Sequence, residues 1–171
     1  MNFIQVEIDH SDYVFDNFPN IKIDDKFLNK EIAKLYPGNT YDTLIPTLLY
    51  GLENLEEEQL VWKQFNPAVG KTTICPILMC PVTYNLSKSF IVAEIIKTKN
   101  HVKWNRLGIA IKKTKITNYK IKWLDKMDSL KFDMDNYQLT INEFKRHYKI
   151  DKILWDLRLS SLKKMIYLEQ T

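Results

Sequence analysis

The sheet that decides the fold is encoded in residues 89–111, which read SFIVAEIIKTKNHVKWNRLGIAI. Two runs rich in Ile, Val and aromatic residues flank Lys99-Asn100, a pair typical of a hairpin tip. Similar runs occupy residues 72–79 and 114–123. Because connections this short cannot cross over to make parallel pairs, the pattern predicts an antiparallel meander over residues 72–123.

The segments before this sheet predict two short strands and two helices. Alternating apolar residues predict strands over residues 3–8 and 20–23. Apolar residues spaced by four and three over residues 28–35 predict a short helix. A second helix is expected over Leu55–Phe65, because Asn54-Leu55-Glu56-Glu57 has the spacing of a capping box.

The segments after the sheet predict two C-terminal helices. The first is expected to begin at Asp135-Asn136-Tyr137-Gln138, which resembles another capping box. The second is expected to begin at Asp151 and to dock on the protein through a broad apolar face. We therefore expect one α+β domain over residues 1–171, with helices in the N-terminal third and two C-terminal helices. The apolar face of the last helix consists of Ile153, Leu154, Leu157, Leu162, Met165 and Ile166.

Charge is divided unevenly along the chain. Residues 1–70 carry 12 acidic and 5 basic side chains, a net charge of −7. Residues 71–171 carry 9 acidic and 20 basic side chains, a net charge of +11. Summed fields of this kind steer encounters with charged partners but do not choose a fold. The charge pattern therefore favours a binding protein whose partner meets either pole.

The sequence carries no targeting signal that we recognise. The N-terminus has neither a basic region nor an apolar run of signal-peptide length. No segment approaches the ~18 consecutive apolar residues of a membrane span. Two cysteines in a chain of ordinary composition are typical of a reducing compartment. We expect a cytoplasmic protein without membrane contact.

No catalytic or metal-binding set is evident in the residues. His10, His101 and His147 are scattered, whereas acid–base catalysis needs two groups aimed at one atom. Cys75 and Cys80 form a single pair with a spacing longer than zinc sites use. We therefore expect no enzyme activity, no cofactor, no metal and no small-molecule substrate. A nuclease built around His101, which has lysines beside it, stays open as an alternative.

A long basic tract offers one candidate surface. From Lys97 to Lys122 there are nine lysines and arginines and no acidic residue. Trp104, Tyr119 and Trp123 lie among them, and a cationic sheet with aromatic side chains can stack single-stranded nucleic acid. The same aromatics suit a protein core equally well. This basic face, which would take nucleic acid or an acidic protein, consists of Lys103, Arg106, Lys112, Lys113 and Lys115.

Three stretches resemble a known class of proteins. They are residues 36–49 with Tyr36-Pro37-Gly38-Asn39-Thr40-Tyr41, then Pro76-Ile77-Leu78-Met79-Cys80-Pro81, then Val102-Lys103-Trp104-Asn105-Arg106-Leu107-Gly108-Ile109. Together they are similar to small bacterial immunity proteins that accompany polymorphic or contact-dependent growth-inhibition toxins. The resemblance covers residues 36–109 and implies a cytoplasmic protein that neutralises one cognate toxin domain by tight binding, without catalysis. Immunity proteins against nucleases are often acidic, and the net charge of +4 departs from that pattern.

The resemblance, combined with the charge pattern, suggests where a toxin would bind. Toxin domains that act on nucleic acid present basic surfaces, so we expect the acidic half of the chain to meet them. Three consecutive glutamates cannot share one face of a helix, so we expect most of them to be hydrated. Trp62 is a candidate aromatic anchor that serves equally well as core. The predicted toxin-binding residues are Asp42, Glu56, Glu57, Glu58 and Trp62.

Overall fold

The protein has an α+β architecture with antiparallel sheets. The computed structural model describes residues 1–11, 14, 17–87, 89–115 and 118–169, with the side chains of 112–115, 118–119 and 163–169 outside that description. In this part of the chain there are two sheets and three α-helices. None of these helices combines the length and hydrophobicity that crossing a bilayer requires.

The elements follow one another in the order predicted for the central part of the chain. The strands are β1 Ile4–Asp9, β2 Phe18–Ile23, β3 Lys26–Phe27, β4 Ile45–Pro46, β5 Thr72–Met79, β6 Phe90–Lys97, β7 His101–Lys115, β8 Asn118–Trp123 and β9 Leu130–Asp133. The helices are α1 Leu28–Leu35, α2 Leu55–Phe65 and α3 Met134–Glu169, and a single 3-10 turn covers Tyr41–Thr43.

The large sheet confirms the antiparallel meander. Its order is β4-β5-β6-β7-β8, and β9 pairs with the start of β7. Strand β7 is longer than expected, because it continues to Lys115 where the sequence predicted a break after Ile111. Residues 101–104 of β7 pair with β9, whereas residues 108–115 pair with β8. Two different neighbours therefore support one long strand along the same edge.

The small sheet consists of β1, β2 and β3 and is tied to α3. The backbone N–H of Ile4 donates to Asn136 Oδ1 at 2.9 Å, and Asn136 Nδ2 donates to the Ile4 carbonyl at 2.8 Å. Thr140 Oγ1 donates to the same carbonyl at 3.0 Å. These bonds fix the first strand against the first turns of α3, although the two segments are more than 130 residues apart.

One face of the large sheet is covered by an aromatic cluster. Trp104 of β7 is fully buried between Phe65 of α2, Phe132 of β9 and Tyr137 of α3, with ring centroids 5.3–6.4 Å apart. The Trp104 indole N–H donates to Tyr137 Oη at 3.2 Å, which donates to the Phe65 carbonyl at 2.9 Å. Both buried donors of the cluster therefore have acceptors, and the cluster joins α2, α3 and the sheet.

The C-terminal region forms one helix instead of the predicted two. Residues 134–169 contain no glycine or proline, so nothing ends the first helix before Asp151. Helix α3 also begins earlier than predicted, because Asp133 accepts from the backbone N–H groups of Asp135 and Asn136 at 2.9 and 3.3 Å. Asp133, rather than Asp135, is the capping residue.

Candidate functional site

The acidic residues predicted to meet a partner differ sharply in exposure. Asp42 and Glu56 are exposed. Glu57 and Glu58 retain only 6% and 8% of their accessible surface, although we expected most of these glutamates to be hydrated. That expectation was wrong for two of the three. The helix N-cap was predicted correctly, since Asn54 Oδ1 accepts from the N–H groups of Glu56 and Glu57.

The two buried glutamates hold α2 to its neighbours. Glu57 Oε2 accepts from the backbone N–H of Leu86 at 3.2 Å. Glu58 Oε1 accepts from Tyr148 Oη at 2.6 Å, and the ring of Tyr148 packs edge-on against half-buried Trp62 at 5.8 Å. A partner protein cannot reach these carboxylates without breaking internal hydrogen bonds. Of the predicted acidic site, Asp42 and Glu56 remain accessible.

The basic candidates lie along β7. Lys103 precedes Trp104, which points into the aromatic cluster, so Lys103 lies on the opposite face of the large sheet. A one-residue bulge between Trp104 and Arg106 brings Arg106 to that same face. Lys112, Lys113 and Lys115 lie further along the same strand, and their side chains are outside the described residues. The structure therefore locates the basic face by its first two members.

Strand register defines the surface around Arg106. Across the sheet, Ile74 of β5, Glu94 of β6 and Arg106 of β7 form one row of paired residues. Thr72, Ile96, Lys103 and Lys131 form the next row, and Trp123 of β8 follows on the other side. We call this set of eight residues the Arg106 face. It contains three basic side chains, one acidic side chain and three half-buried apolar ones, Ile74, Ile96 and Trp123.

Arg106 is held rigidly at the centre of this face. Its Nε donates to Glu94 Oε2 at 3.1 Å and its Nη2 donates to Glu94 Oε1 at 3.0 Å. Its guanidinium carbon lies 3.9 Å from the centre of the Trp123 ring. The side chain of Arg106 nevertheless keeps 47% of its accessible surface, whereas Glu94 keeps 15%. An arginine fixed by a forked ion pair and by stacking is an exposed and pre-ordered contact group.

A β-bulge brings a third donor to the same carboxylate. Pairing shifts between Ile95 opposite Trp104 and Glu94 opposite Arg106, so Asn105 is the extra residue of β7. Asn105 Nδ2 donates to Glu94 Oε2 at 2.7 Å. Partial burial raises the pKa of Glu94, but the hydrogen bonds from Arg106 and Asn105 and the charges of Arg106 and Lys103 outweigh it, so the pKa is lowered. Glu94 is therefore a fixed anion among cations.

Gly108 makes room for the tryptophan beneath Arg106. A Cβ atom added at Gly108 would lie 2.8 Å from Trp123 Cε3 and 2.5 Å from Ile121 Cγ2. Both distances are shorter than carbon atoms tolerate, so any other residue would push β8 away from β7. Trp123 pairs directly with Gly108 in the register of the two strands. The glycine is thus required for the stacking position of Trp123.

The aromatic residues of the basic tract do not form one platform. Trp104 is part of the core, which decides between the two interpretations that its sequence position left open. Trp123 is half-buried under Arg106, and the side chain of Tyr119 is outside the described residues. Two N–H groups of the Arg106 guanidinium also donate to the Glu94 carboxylate. The described part of the tract therefore presents charged and apolar side chains side by side, and its one arginine is already paired with Glu94.

The remaining chemical groups are dispersed. Cys75 is fully buried, with its thiol 3.7 Å from the Val61 carbonyl, and burial raises its pKa well above the ordinary value. His101 lies at the β6–β7 hairpin, with Nδ1 3.0 Å from Thr98 Oγ1. Among the described residues, no three His, Cys, Asp or Glu side chains are grouped closely enough to hold a metal ion.

A second unusual surface lies on the distal part of α3. The sequence predicted that this part docks on the protein, but its apolar side chains are exposed to between 40% and 59%. We call residues 150–162 the apolar segment of α3. Besides Ile150, its large apolar side chains are Ile153, Leu154, Trp155, Leu157, Leu159 and Leu162. Exposed apolar patches of this density mark interaction sites.

Comparison with protein-family models, with curated proteins and with solved structures finds no match to this chain.

Sequence reasoning missed Glu94, Asn105 and Gly108 as parts of the site. The five basic candidates all lie on β7, whereas Glu94 lies on the neighbouring strand β6, outside the basic tract. Counting outward from the predicted hairpin tip at Lys99-Asn100 would have placed Glu94 opposite Asn105, one residue from its observed partner Arg106. The bulge shifts the pairing by that one residue, and no sequence signal announces it.

Proposed function

We propose that the protein is a non-catalytic recognition protein that binds one partner protein across the Arg106 face. The observation that carries this proposal is the arginine fixed between Glu94 and Trp123 on an exposed sheet face. Arginine and tryptophan are enriched among residues that dominate binding energy, particularly when they are central and well packed. A side chain that is already ordered loses little entropy on binding, which favours tight association.

The chemistry of the face suggests the kind of partner. Three cations, Lys103, Arg106 and Lys131, surround one anion whose charge is already neutralised. Such a face favours a partner with an acidic patch beside apolar side chains that cover Ile74 and Ile96. Electrostatic complementarity would then set orientation and association rate, and the arginine–tryptophan pair would set the lifetime of the complex.

We propose further that the partner is a bacterial toxin domain, which the protein neutralises by covering its functional surface. This part rests on the resemblance of residues 36–109 to immunity proteins. We place the interface on the basic face instead of on the acidic residues first expected, because Glu57 and Glu58 already accept hydrogen bonds within the protein. Asp42 and Glu56 are exposed and serve as the comparison surface in the test below.

The test takes the protein encoded by the neighbouring gene as the candidate toxin, with binding measured by calorimetry and neutralisation measured as survival on co-expression. Arg106→Ala should weaken binding at least thirtyfold, since truncating a dominant contact costs about 2 kcal/mol or more. Arg146→Ala is the matched control, because Arg146 is also an exposed arginine paired with a glutamate, Glu143, but lies on α3. It should leave binding within about threefold.

Two outcomes would contradict the proposal. If the chain neither binds nor protects against the neighbouring toxin, the assigned role is wrong. If Asp42→Lys with Glu56→Lys abolishes protection while Arg106→Ala leaves it intact, the role stands and the interface lies at the acidic pole. Melting temperatures of all variants separate lost binding from lost folding.

A further inference from the structure

Arg106 keeps one edge of its guanidinium free on the exposed face of the large sheet. An arginine side chain carries five N–H groups, one on Nε and two on each Nη atom. Glu94 accepts from Nε at 3.1 Å and from Nη2 at 3.0 Å. The second N–H of Nη2 and both N–H groups of Nη1 have no acceptor among the described residues. The Nη1–Nη2 edge therefore offers two parallel N–H groups to a second acceptor.

The neighbours of Arg106 fix the plane in which this free edge lies. Trp123 packs against one face of the guanidinium, whose carbon lies 3.9 Å from the ring centre. Glu94 holds the opposite end of the group and is itself held by Asn105 Nδ2 at 2.7 Å. Because these contacts already order the side chain, little rotational freedom is lost when a second acceptor binds. The free edge is thus a pre-ordered pair of donors.

The charges around the free edge attract an anion. The Arg106 face carries three positive charges, from Lys103, Arg106 and Lys131, and one negative charge from Glu94, a net charge of +2. A second carboxylate therefore meets a net attraction although Glu94 is already present.

We propose that the Nη1–Nη2 edge of Arg106 binds one side-chain carboxylate, from an aspartate or glutamate of the partner protein, through two parallel hydrogen bonds. Arg106 then bridges two carboxylates, Glu94 of its own chain and one of the partner. This inference rests on the proposed function, because it names the chemical group that the Arg106 face recognises.

The surroundings of Arg106 favour a protein carboxylate over a phosphate of nucleic acid. Either anion can accept two hydrogen bonds from an arginine. Nucleic acid carries a charge at every phosphate, so the surfaces that bind it are much more positive than protein–protein interfaces. The Arg106 face instead includes an acidic residue, Glu94, and the half-buried side chains of Ile74 and Ile96. A single carboxylate flanked by apolar side chains matches this mixture.

The first test probes the free edge without any partner. The chain contains three arginines, Arg106, Arg146 and Arg158, so selective labelling of arginine with nitrogen-15 gives three sets of guanidinium signals by NMR. Glutarate, a dicarboxylate with the same end group as a glutamate side chain, is titrated into the full chain at constant ionic strength. The signals of Arg106 should shift at least threefold more than those of Arg146.

Arg146 is the matched control because it forms the same kind of ion pair. Its Nε and Nη2 donate to Glu143, and Lys145 and Lys149 lie beside it. No aromatic ring stacks on Arg146 among its described contacts, so the comparison isolates the ordering of Arg106 by Trp123. Equal shifts of the two arginines would overturn the proposal. A larger shift of Arg106 with inorganic phosphate than with glutarate would also overturn it and would indicate nucleic acid.

The second test uses the protein encoded by the neighbouring gene. Arg106→Lys keeps the charge but cannot form the fork of two hydrogen bonds, so it should weaken binding at least tenfold. Arg146→Lys should leave binding within about threefold. Each Asp of the neighbouring protein is then replaced by Asn and each Glu by Gln. One of these changes should weaken binding to the wild type at least tenfold, but binding to Arg106→Lys by no more than about threefold.

The outcomes separate this inference from the proposed function. If Arg106→Ala weakens binding while Arg106→Lys binds like the wild type, or if no carboxylate of the partner couples to Arg106, the interface stands and the carboxylate fork is wrong. If the neighbouring protein does not bind at all, the proposed function fails and the glutarate titration decides the fork by itself. Melting temperatures show whether Arg106→Lys is folded, and the titration of the wild type does not depend on that variant.

Discussion

The two halves of α3 differ in environment although both are rich in large apolar side chains. In residues 134–148, Tyr137, Ile141 and Phe144 are almost fully buried against the sheets. In residues 150–162, the side chains of the same size are about half exposed. The hydrogen bond from Tyr148 to Glu58 marks the boundary, since it is the last described tie between α3 and α2 along the helix.

The difference shows that amphipathic spacing predicts a helix face that another surface covers, but does not identify that surface. The first half is covered by its own chain, because β1, β9 and α2 supply complementary apolar surface. The second half extends past those elements, so the same pattern there indicates a surface for another molecule. Stability should therefore respond to truncations in the first half and change little with truncations in the second.

The largest effect is expected from a matched pair of isoleucine truncations. Ile141→Ala should lower the free energy of unfolding by about 2–5 kcal/mol, because it leaves a cavity in the core. Ile153→Ala should change it by no more than about 0.5 kcal/mol, since Ile153 is 58% exposed. Both remove the same atoms from the same helix, so helix propensity cancels.

Urea unfolding at a concentration where the chain is monomeric measures this pair. If Ile153→Ala costs as much as Ile141→Ala, the distal half packs on the body in solution and the contrast between the halves disappears.

A smaller effect is expected at the boundary between the halves. Glu58→Lys removes the carboxylate that accepts from Tyr148, and a hydrogen bond to a charged group contributes about 1.5–3 kcal/mol. Glu56→Lys should cost no more than about 0.5–1 kcal/mol, which both variants lose at the helix N-terminus. The sequence predicted no such difference in stability, because most of the glutamates at 56–58 were expected to be hydrated.

Thermal unfolding of Glu58→Lys and Glu56→Lys measures this difference in stability. Equal and small losses would mean that the Glu58–Tyr148 bond does not anchor α3. A clearly larger loss for Glu58→Lys would show that Glu58 anchors α3, so that reversing its charge cannot report on partner binding.

Local patterns predicted the sheet well because its information is local. The strands β5 to β8 follow from β-branched and aromatic runs, and the Lys99-Asn100 hairpin fixes which strands are neighbours. The N-cap at Asn54 follows from four consecutive residues. These signals need no knowledge of distant contacts, so the sequence carried them directly.

The remaining features depend on contacts between distant residues. Burial of Glu58 requires Tyr148, which is 90 residues away along the chain. The pairing of Arg106 with Glu94 depends on a single bulged residue, and the length of β7 depends on β9 sharing its edge. The exposure of the distal half of α3 depends on where the other elements end. None of these can be read from composition or periodicity.

The smallest effect is expected on the solvent side of the covered half of α3. Arg146 Nε donates to Glu143 Oε2 at 3.1 Å, and this hydrogen bond is the main cause of the lowered pKa of Glu143. A lowered pKa means that the stabilisation is present above the unfolded value, near 4.5, and is lost as the pH falls through the folded value. Because the Glu143 side chain is 40% exposed, solvent screening limits the contribution to about 0.3 kcal/mol. Glu143→Gln should therefore be less stable than the wild type by about that amount at pH 6, and equally stable at pH 3, by urea unfolding at both values.

A difference above about 1 kcal/mol, or one that grows on acidification, would show that the outer side of this half is not simply solvated. The contrast would then have to be drawn between the two ends of the helix alone, and not between its buried and exposed sides.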